Sequence, residues 1–114
     1  IGDANLIAVE VIRSGPEAEI ALLGRRITLP RGGAPAGPAQ MVLRPHDITL
    51  GREAGAGTLP AEVTYAAWLG TSVQYTLATP VGPLFAIGAP RPAPFRPGDS
   101  VHVGFSPEAV RLVP

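Results

Sequence analysis

Val42-Leu43-Arg44-Pro45-His46-Asp47-Ile48-Thr49-Leu50 runs strand, proline, acidic turn, strand, and Gly104-Phe105-Ser106-Pro107-Glu108-Ala109-Val110-Arg111-Leu112 repeats the plan. Proline suits the first position of a helical turn, where its missing N–H costs nothing. Ser106 can cap the second turn through its hydroxyl, and Glu108 sits well against the positive end. Working outward, Asn5 to Arg13 sets Ile7, Val9 and Val11 against Leu6, Ala8 and Glu10. Ser14-Gly15-Pro16 turns the chain into Ala18, Ile20 and Leu22, and Gly24 turns it again toward Ile27 and Leu29. Pro30 to Ala39 (PRGGAPAGPA) reads as a loop with nothing apolar to bury, and a strand resumes at Gln40.

The second half follows the same grammar. Leu59, Ala61, Val63, Tyr65 and Ala67 alternate with Thr58, Glu62 and Thr64, which assigns Tyr65 to the core face. After Leu69-Gly70, the face Val73, Tyr75, Leu77 alternates with Ser72, Gln74, Thr76. A hairpin loop at Thr79–Pro83 leads to Leu84–Ile87, a second loop spans Ala89–Pro97, and Gly98-Asp99 precedes Val101, Val103 and Phe105. Each half therefore holds about five short strands with one helical turn before the last. The pattern predicts an all-β fold of OB-like small barrels. One domain, 1–114, is expected, with related lobes at roughly 1–57 and 58–114 and strand exchange between them allowed. Coincidence is the competing reading of the repeat, since proline before a β-branched residue is common.

The chain has 114 residues, and nine Arg balance nine acids to give zero formal charge, with no Lys and no Cys. Without Cys there is no disulfide framework, thiolate nucleophile or Cys-based zinc site. Without Lys there is no P-loop and no Schiff-base lysine. The 14 Gly and 14 Pro punctuate strands instead of marking disorder. No apolar stretch approaches the roughly 18 residues of a bilayer span, and no leader segment is visible. A chain that starts at Ile1 reads as a piece of something longer.

Candidate chemistry is sparse. His46 lies beside Asp47, but adjacent side chains diverge and no nucleophile is placed by a motif. His102 falls on the polar face of its strand. The acids never cluster at metal-ligand spacing, and Glu17 and Glu19 share a solvent face. No enzyme and no metal site is read from the chain. Gly70-Thr71-Ser72 offers hydroxyls and backbone N–H groups, so an oxyanion pocket with Thr71 and Ser72 as donors is one alternative and a polar hairpin turn the other. Single-strand nucleic-acid binding would need exposed aromatics in a positive groove. Tyr65, Trp68 and Tyr75 lie close in sequence, but no basic residue lies near them.

The ordered set Ile1-Gly2-Asp3-Ala4-Asn5, Leu43-Arg44-Pro45-His46-Asp47-Ile48, Trp68-Leu69-Gly70, Gly98-Asp99-Ser100-Val101 and Ser106-Pro107-Glu108 resembles the TOBE (transport-associated OB) domain. That domain ends the ATP-binding subunits of bacterial ABC importers of the polyamine, ferric-iron and sugar type. The family's Gly-x-x-Asn segment matches Gly2 and Asn5. Its Arg-Pro-Glu-Asp-Ile-type motif maps onto Arg44, Pro45, Asp47 and Ile48, with His46 where Glu is usual. Leu69, Gly70, Gly98, Asp99 and Pro107 fall in the remaining matches. The resemblance implies a non-catalytic, regulatory and dimer-stabilising role, with ATP and Mg bound upstream and no cofactor in this chain. It implies a second copy and membrane permease subunits as partners, at the cytoplasmic face of the cell membrane. The alternatives are a β-barrel sensing a small oxyanion or polyamine and, lower, a single-strand binder. Arg44 is expected to brace the lobes by bonding carbonyls or a carboxylate.

Overall fold

A computed structural model describes residues 4–55, 57–89 and 94–114. Ten strands and two short 3-10 turns follow in the order β1 (Asn5–Arg13), β2 (Ala18–Leu22), β3 (Arg25–Leu29), β4 (Gly37–Leu43), the turn Pro45–Asp47, β5 (Ile48–Gly51), β6 (Leu59–Trp68), β7 (Val73–Ala78), β8 (Leu84–Gly88), β9 (Ser100–Phe105), the turn Pro107–Ala109 and β10 (Arg111–Val113). They form two five-stranded antiparallel sheets, ordered β10-β4-β1-β2-β3 and β5-β9-β6-β7-β8. The fold is all-β and OB-like, as the alternation predicts.

Both sheets have one strand order, with β6, β7, β8, β9 and β5 standing where β1, β2, β3, β4 and β10 stand. The sheets do not follow the halves of the chain, however. One compact unit takes residues 4–43 with 106–114, and the other takes 44–105. The repeated proline turns are where the chain changes sheet: the strand after each turn joins the sheet that the strand before it does not. The two turns share geometry. Asp47 N–H donates to the Arg44 carbonyl and Ala109 N–H to the Ser106 carbonyl, each at 3.0 Å. The residues before them are extended, at φ −77° for Arg44 and −80° for Ser106. Ser106 caps its turn as expected, its Oγ accepting from the Glu108 amide at 3.4 Å.

Within the first unit, Ile7, Val9, Val11, Ile20, Leu22, Leu29, Met41 and Leu43 are buried, as period-2 alternation requires. Two expectations fail there. The loop after Leu29 ends earlier, because β4 starts at Gly37 and pairs through Pro38 with Glu10. Proline is tolerated at that point because β10 reaches only Gln40 to Val42, leaving the position of Pro38 at an edge. The loop also buries something apolar, since Ala34 is buried and its carbonyl accepts the Ser14 hydroxyl at 2.8 Å.

In the second unit the edge strands β5 and β8 approach each other and the Pro45–Asp47 turn packs on β8, so the sheet is nearly a barrel. Leu59, Val63, Val73, Tyr75, Leu77, Leu84, Ala86, Val101 and Val103 fill it. Tyr65 does not join them and is 59% exposed. A β-bulge explains this. Val63 pairs with Leu77 and Tyr65 with Thr76, so Thr64 is an extra residue without a ladder partner. The alternation slips by one, Ala66 takes the inner place opposite Tyr75, and Tyr65 turns outward. A bulge recurs in β1 between Val11 and Arg13, where Ile12 is the extra residue.

Candidate functional site

The 44–105 unit contains a cavity of about 530 Å³. Its walls come from the Pro45–Asp47 turn and β5 (His46, Ile48, Thr49, Leu50), from Arg52, from Tyr75 on β7, from β8 with Ala89, and from Phe95 in the loop before β9. Tyr75 organises one side. It is 2% exposed, its Oη accepts the Phe95 amide at 3.0 Å, and its ring meets that of Phe95 edge-on at 6.0 Å and 65°. The Arg52 guanidinium lies over the Phe95 ring, 4.8 Å from its centroid. Cation–π attraction of this kind is worth about 0.5–1 kcal/mol at exposed sites. A buried tyrosine thus positions a phenylalanine, and the phenylalanine positions an arginine.

The outer surface of the same unit carries a second feature. From Val63 to Pro90 the sequence contains no charged residue. Tyr65, Thr76 and Phe85 are cross-strand neighbours in one row of the sheet, and Ala67, Gln74 and Ile87 in another. Tyr65 and Phe85 are exposed by 59 and 38% on this face, and Trp68 and Leu69 by 60 and 53% at the end of β6, where Trp68 stands opposite buried Val73. From Val63 onward the face is uncharged.

The residues singled out from sequence fall mostly on turns. Gly2 lies outside the described residues. Asn5 is a buried polar residue at the start of β1, 4% exposed and satisfied by a partner. The Arg44 side chain is exposed, and among the described residues nothing bonds it; only its carbonyl accepts a bond, from Asp47. Pro45 is buried, and Asp47 Oδ1 lies 3.8 Å from His46 Nε2. Leu69 N–H donates to the Ser72 carbonyl at 2.8 Å across Gly70, whose φ of 82° is open to glycine. Thr71 is exposed on that hairpin turn and Ser72 half-buried. Gly98, at φ 94°, and Asp99 close a turn with Arg96: Asp99 Oδ2 accepts the Arg96 amide at 2.8 Å, and Gly98 N–H donates to the Val63 carbonyl at 2.7 Å. Pro107 opens the second 3-10 turn at the surface.

Of the motif residues, His46 and Ile48 line the cavity, Asp47 stands 3.8 Å from His46, and Asp99 Oδ2 stands 3.9 Å from Arg52 Nη2. Arg52 and Phe95 belong to no motif, and the alternation of β7 marks Tyr75 only as core. The charge-free run from Val63 to Pro90 shows in the sequence as a count of residue types. No group of three His, Asp or Glu able to hold a metal occurs among the described residues, and no helix there is long and apolar enough to cross a membrane.

Two five-stranded units with one strand order place the chain among all-β proteins built from repeated OB-like units. Comparison with known proteins carries this further: the chain belongs to the TOBE domain family, which matches residues 41–113. It is 37% identical over 114 residues to the Fe(3+) ions import ATP-binding protein FbpC of Rhizobium etli, covering 99% of this chain and 32% of the relative. FbpC 1 of Rhizobium meliloti is 35% identical over 116 residues, with the same coverage. FbpC of Brucella abortus is 36% identical over 88 residues, covering 76% of this chain and 25% of the relative. The chain therefore spans about one third of the length of the two Rhizobium relatives. The cytoplasmic molybdate-binding protein ModG, solved with molybdate bound, shares the fold with a TM-score of 0.79 at 17% identity, over 99% of this chain and 97% of that one.

Proposed function

We propose that the chain is the regulatory and dimer-stabilising part of the ATP-binding subunit of an ABC importer, acting at the cytoplasmic face of the membrane with permease subunits as partners. Ferric iron is the substrate class proposed for the parent transporter, after the relatives' names. Nucleotide chemistry then falls to the rest of the parent, because this chain has no Lys and no P-loop with which to cradle phosphates. The observation that carries the assembly role is the uncharged outer face that β6, from Val63 on, shares with β7 and β8. A symmetric contact sets one patch against itself, which a charged patch would resist. Tyr65 and Phe85 would anchor such a contact, with Ala67 and Gln74 beside them and Trp68 and Leu69 at the end of β6. A specific interface buries about 1,000 Å² in total.

Sedimentation of the parent subunit tests this. Tyr65→Asp buries like charges across the two-fold and is expected to weaken dimerisation at least about tenfold. An unchanged association constant would remove the assembly role from this face.

The molybdate-bound neighbour of the same fold supports oxyanion sensing as a second reading, with Thr71 and Ser72 as donors on the Leu69–Ser72 turn. Calorimetry with molybdate and sulfate is expected to give binding heat that Thr71→Val with Ser72→Ala abolishes. Silence from both anions eliminates the reading. A single-strand binder is disfavoured for a physical reason. Tyr65 and Trp68 are exposed, but no arginine lies between Glu62 and Arg91 to neutralise phosphate beside them.

A further inference from the structure

We propose that the cavity of the 44–105 unit binds a small organic carboxylate carrying an apolar body. Its volume of about 530 Å³ lies within the range of pockets that enclose small molecules. Two donors converge on it. The first is Arg52, whose guanidinium is laid on the Phe95 ring at 4.8 Å while its N–H groups stay open. The nearest carboxylate oxygen, Asp99 Oδ2, is 3.9 Å from Nη2, beyond hydrogen-bond distance, and already accepts the Arg96 amide at 2.8 Å. The second is Tyr75. Its Oη accepts the Phe95 amide, and among the described residues its hydroxyl proton has no acceptor although the side chain is 2% exposed. That hydroxyl proton is therefore available to a ligand oxygen in the cavity.

A carboxylate matches this pair. Its two oxygens take the guanidinium fork, a geometry that arginine presents and lysine does not, and the second lone pair of one of them accepts the Tyr75 hydroxyl. The rest of the ligand covers Ile48, Leu50, Ala86 and Ile87. An inorganic oxyanion meets the same donors and leaves those apolar walls uncovered. A neutral apolar molecule covers the walls and leaves the donors unpaired. The proposal does not depend on the assembly role, since the cavity lies within one copy and needs no second.

Benzoate is the probe, with benzyl alcohol and sulfate as controls, in an amide-resolved NMR titration of the 114-residue chain. Benzoate is expected to give saturable shifts centred on the Phe95 and Thr49 amides, and to bind at least about tenfold tighter than either control. Arg52→Gln is expected to weaken benzoate at least about tenfold and Arg52→Lys by less, as loss of a charge-assisted bond implies. Arg52 is 62% exposed, so these variants retain the fold and the spectrum away from the cavity. The proposal is overturned by no saturable shift up to about 10 mM benzoate, by equal affinity in Arg52→Gln, or by sulfate binding as tightly as benzoate.

Discussion

Replacing Tyr75 with alanine is expected to lower stability by about 3–5 kcal/mol, whereas Tyr65→Ala shifts it by no more than about 0.5 kcal/mol. The two tyrosines sit on paired strands and share the same apparent alternation in sequence, so the contrast tests the fold directly. Tyr75 is 2% exposed, and its loss empties the middle of the near-barrel. It also strips the Phe95 amide of the oxygen it donates to at 3.0 Å. Tyr65, at 59% exposure, gives up almost nothing on truncation in a single copy. Urea unfolding followed by circular dichroism reads both. Equal losses for the two variants would mean that β6 runs without its bulge and that Tyr65 lies inside.

That contrast marks where the sequence was legible and where it was not. Period-2 alternation identified the buried faces of β1, β2, β7 and β9, because each of those runs keeps register over its core residues. The bulge in β6 hides from such a reading. A bulge adds a residue against the partner strand and leaves no gap in composition, so Val63, Tyr65 and Ala67 look like one face. The Thr64 hydroxyl donating to the Thr76 carbonyl at 3.1 Å is the local feature that accompanies it. The repeat of the proline turn was legible, and the identical strand order of the two sheets extends it. That each turn sends the chain into the other sheet was not, because local sequence fixes the turn while long-range pairing chooses the partner.

The candidate site was less legible still. Arg52, Tyr75 and Phe95 lie just past β5, on β7 and in a loop, and the near-closure of the sheet gathers them. The family motif residues, by contrast, are conspicuous in sequence because turns demand particular chemistry. Gly70 and Gly98 occupy positive φ, and Pro45 and Pro107 open 3-10 turns. Most of the conspicuous residues here shape the backbone, although His46 and Ile48 of the motif line the cavity beside the inconspicuous Arg52, Tyr75 and Phe95.

Gly32→Ala is expected to destabilise the chain by about 2–3 kcal/mol, the scale of overpacking combined with a lost hydrogen bond. A Cβ at Gly32 runs into the carbonyl oxygen of Gly15, which belongs to backbone and cannot rotate aside. The contact matters because the loop it sits in is pinned. Gly32 N–H donates to the Pro16 carbonyl at 3.1 Å, and two residues on, the Ala34 carbonyl accepts the Ser14 hydroxyl. Relieving the clash therefore means breaking at least one of these bonds and lifting buried Ala34 from its place. Gly15→Ala provides the control within the same contact. Its Cβ would meet only the Glu17 carbonyl oxygen, at an ordinary 3.5 Å, so its effect is expected to stay within about 0.5 kcal/mol. Urea midpoints compare the two variants, and protection of the Gly32 amide in hydrogen exchange reports on the Pro16 bond separately. If Gly32→Ala unfolds at the same midpoint as the parent chain, the 30–39 segment is the loose loop that its ten glycines, prolines, alanines and arginine suggest. A lower midpoint for Gly32→Ala, with Gly15→Ala unmoved, means that the glycine at 32 is there for close backbone approach and not for slack.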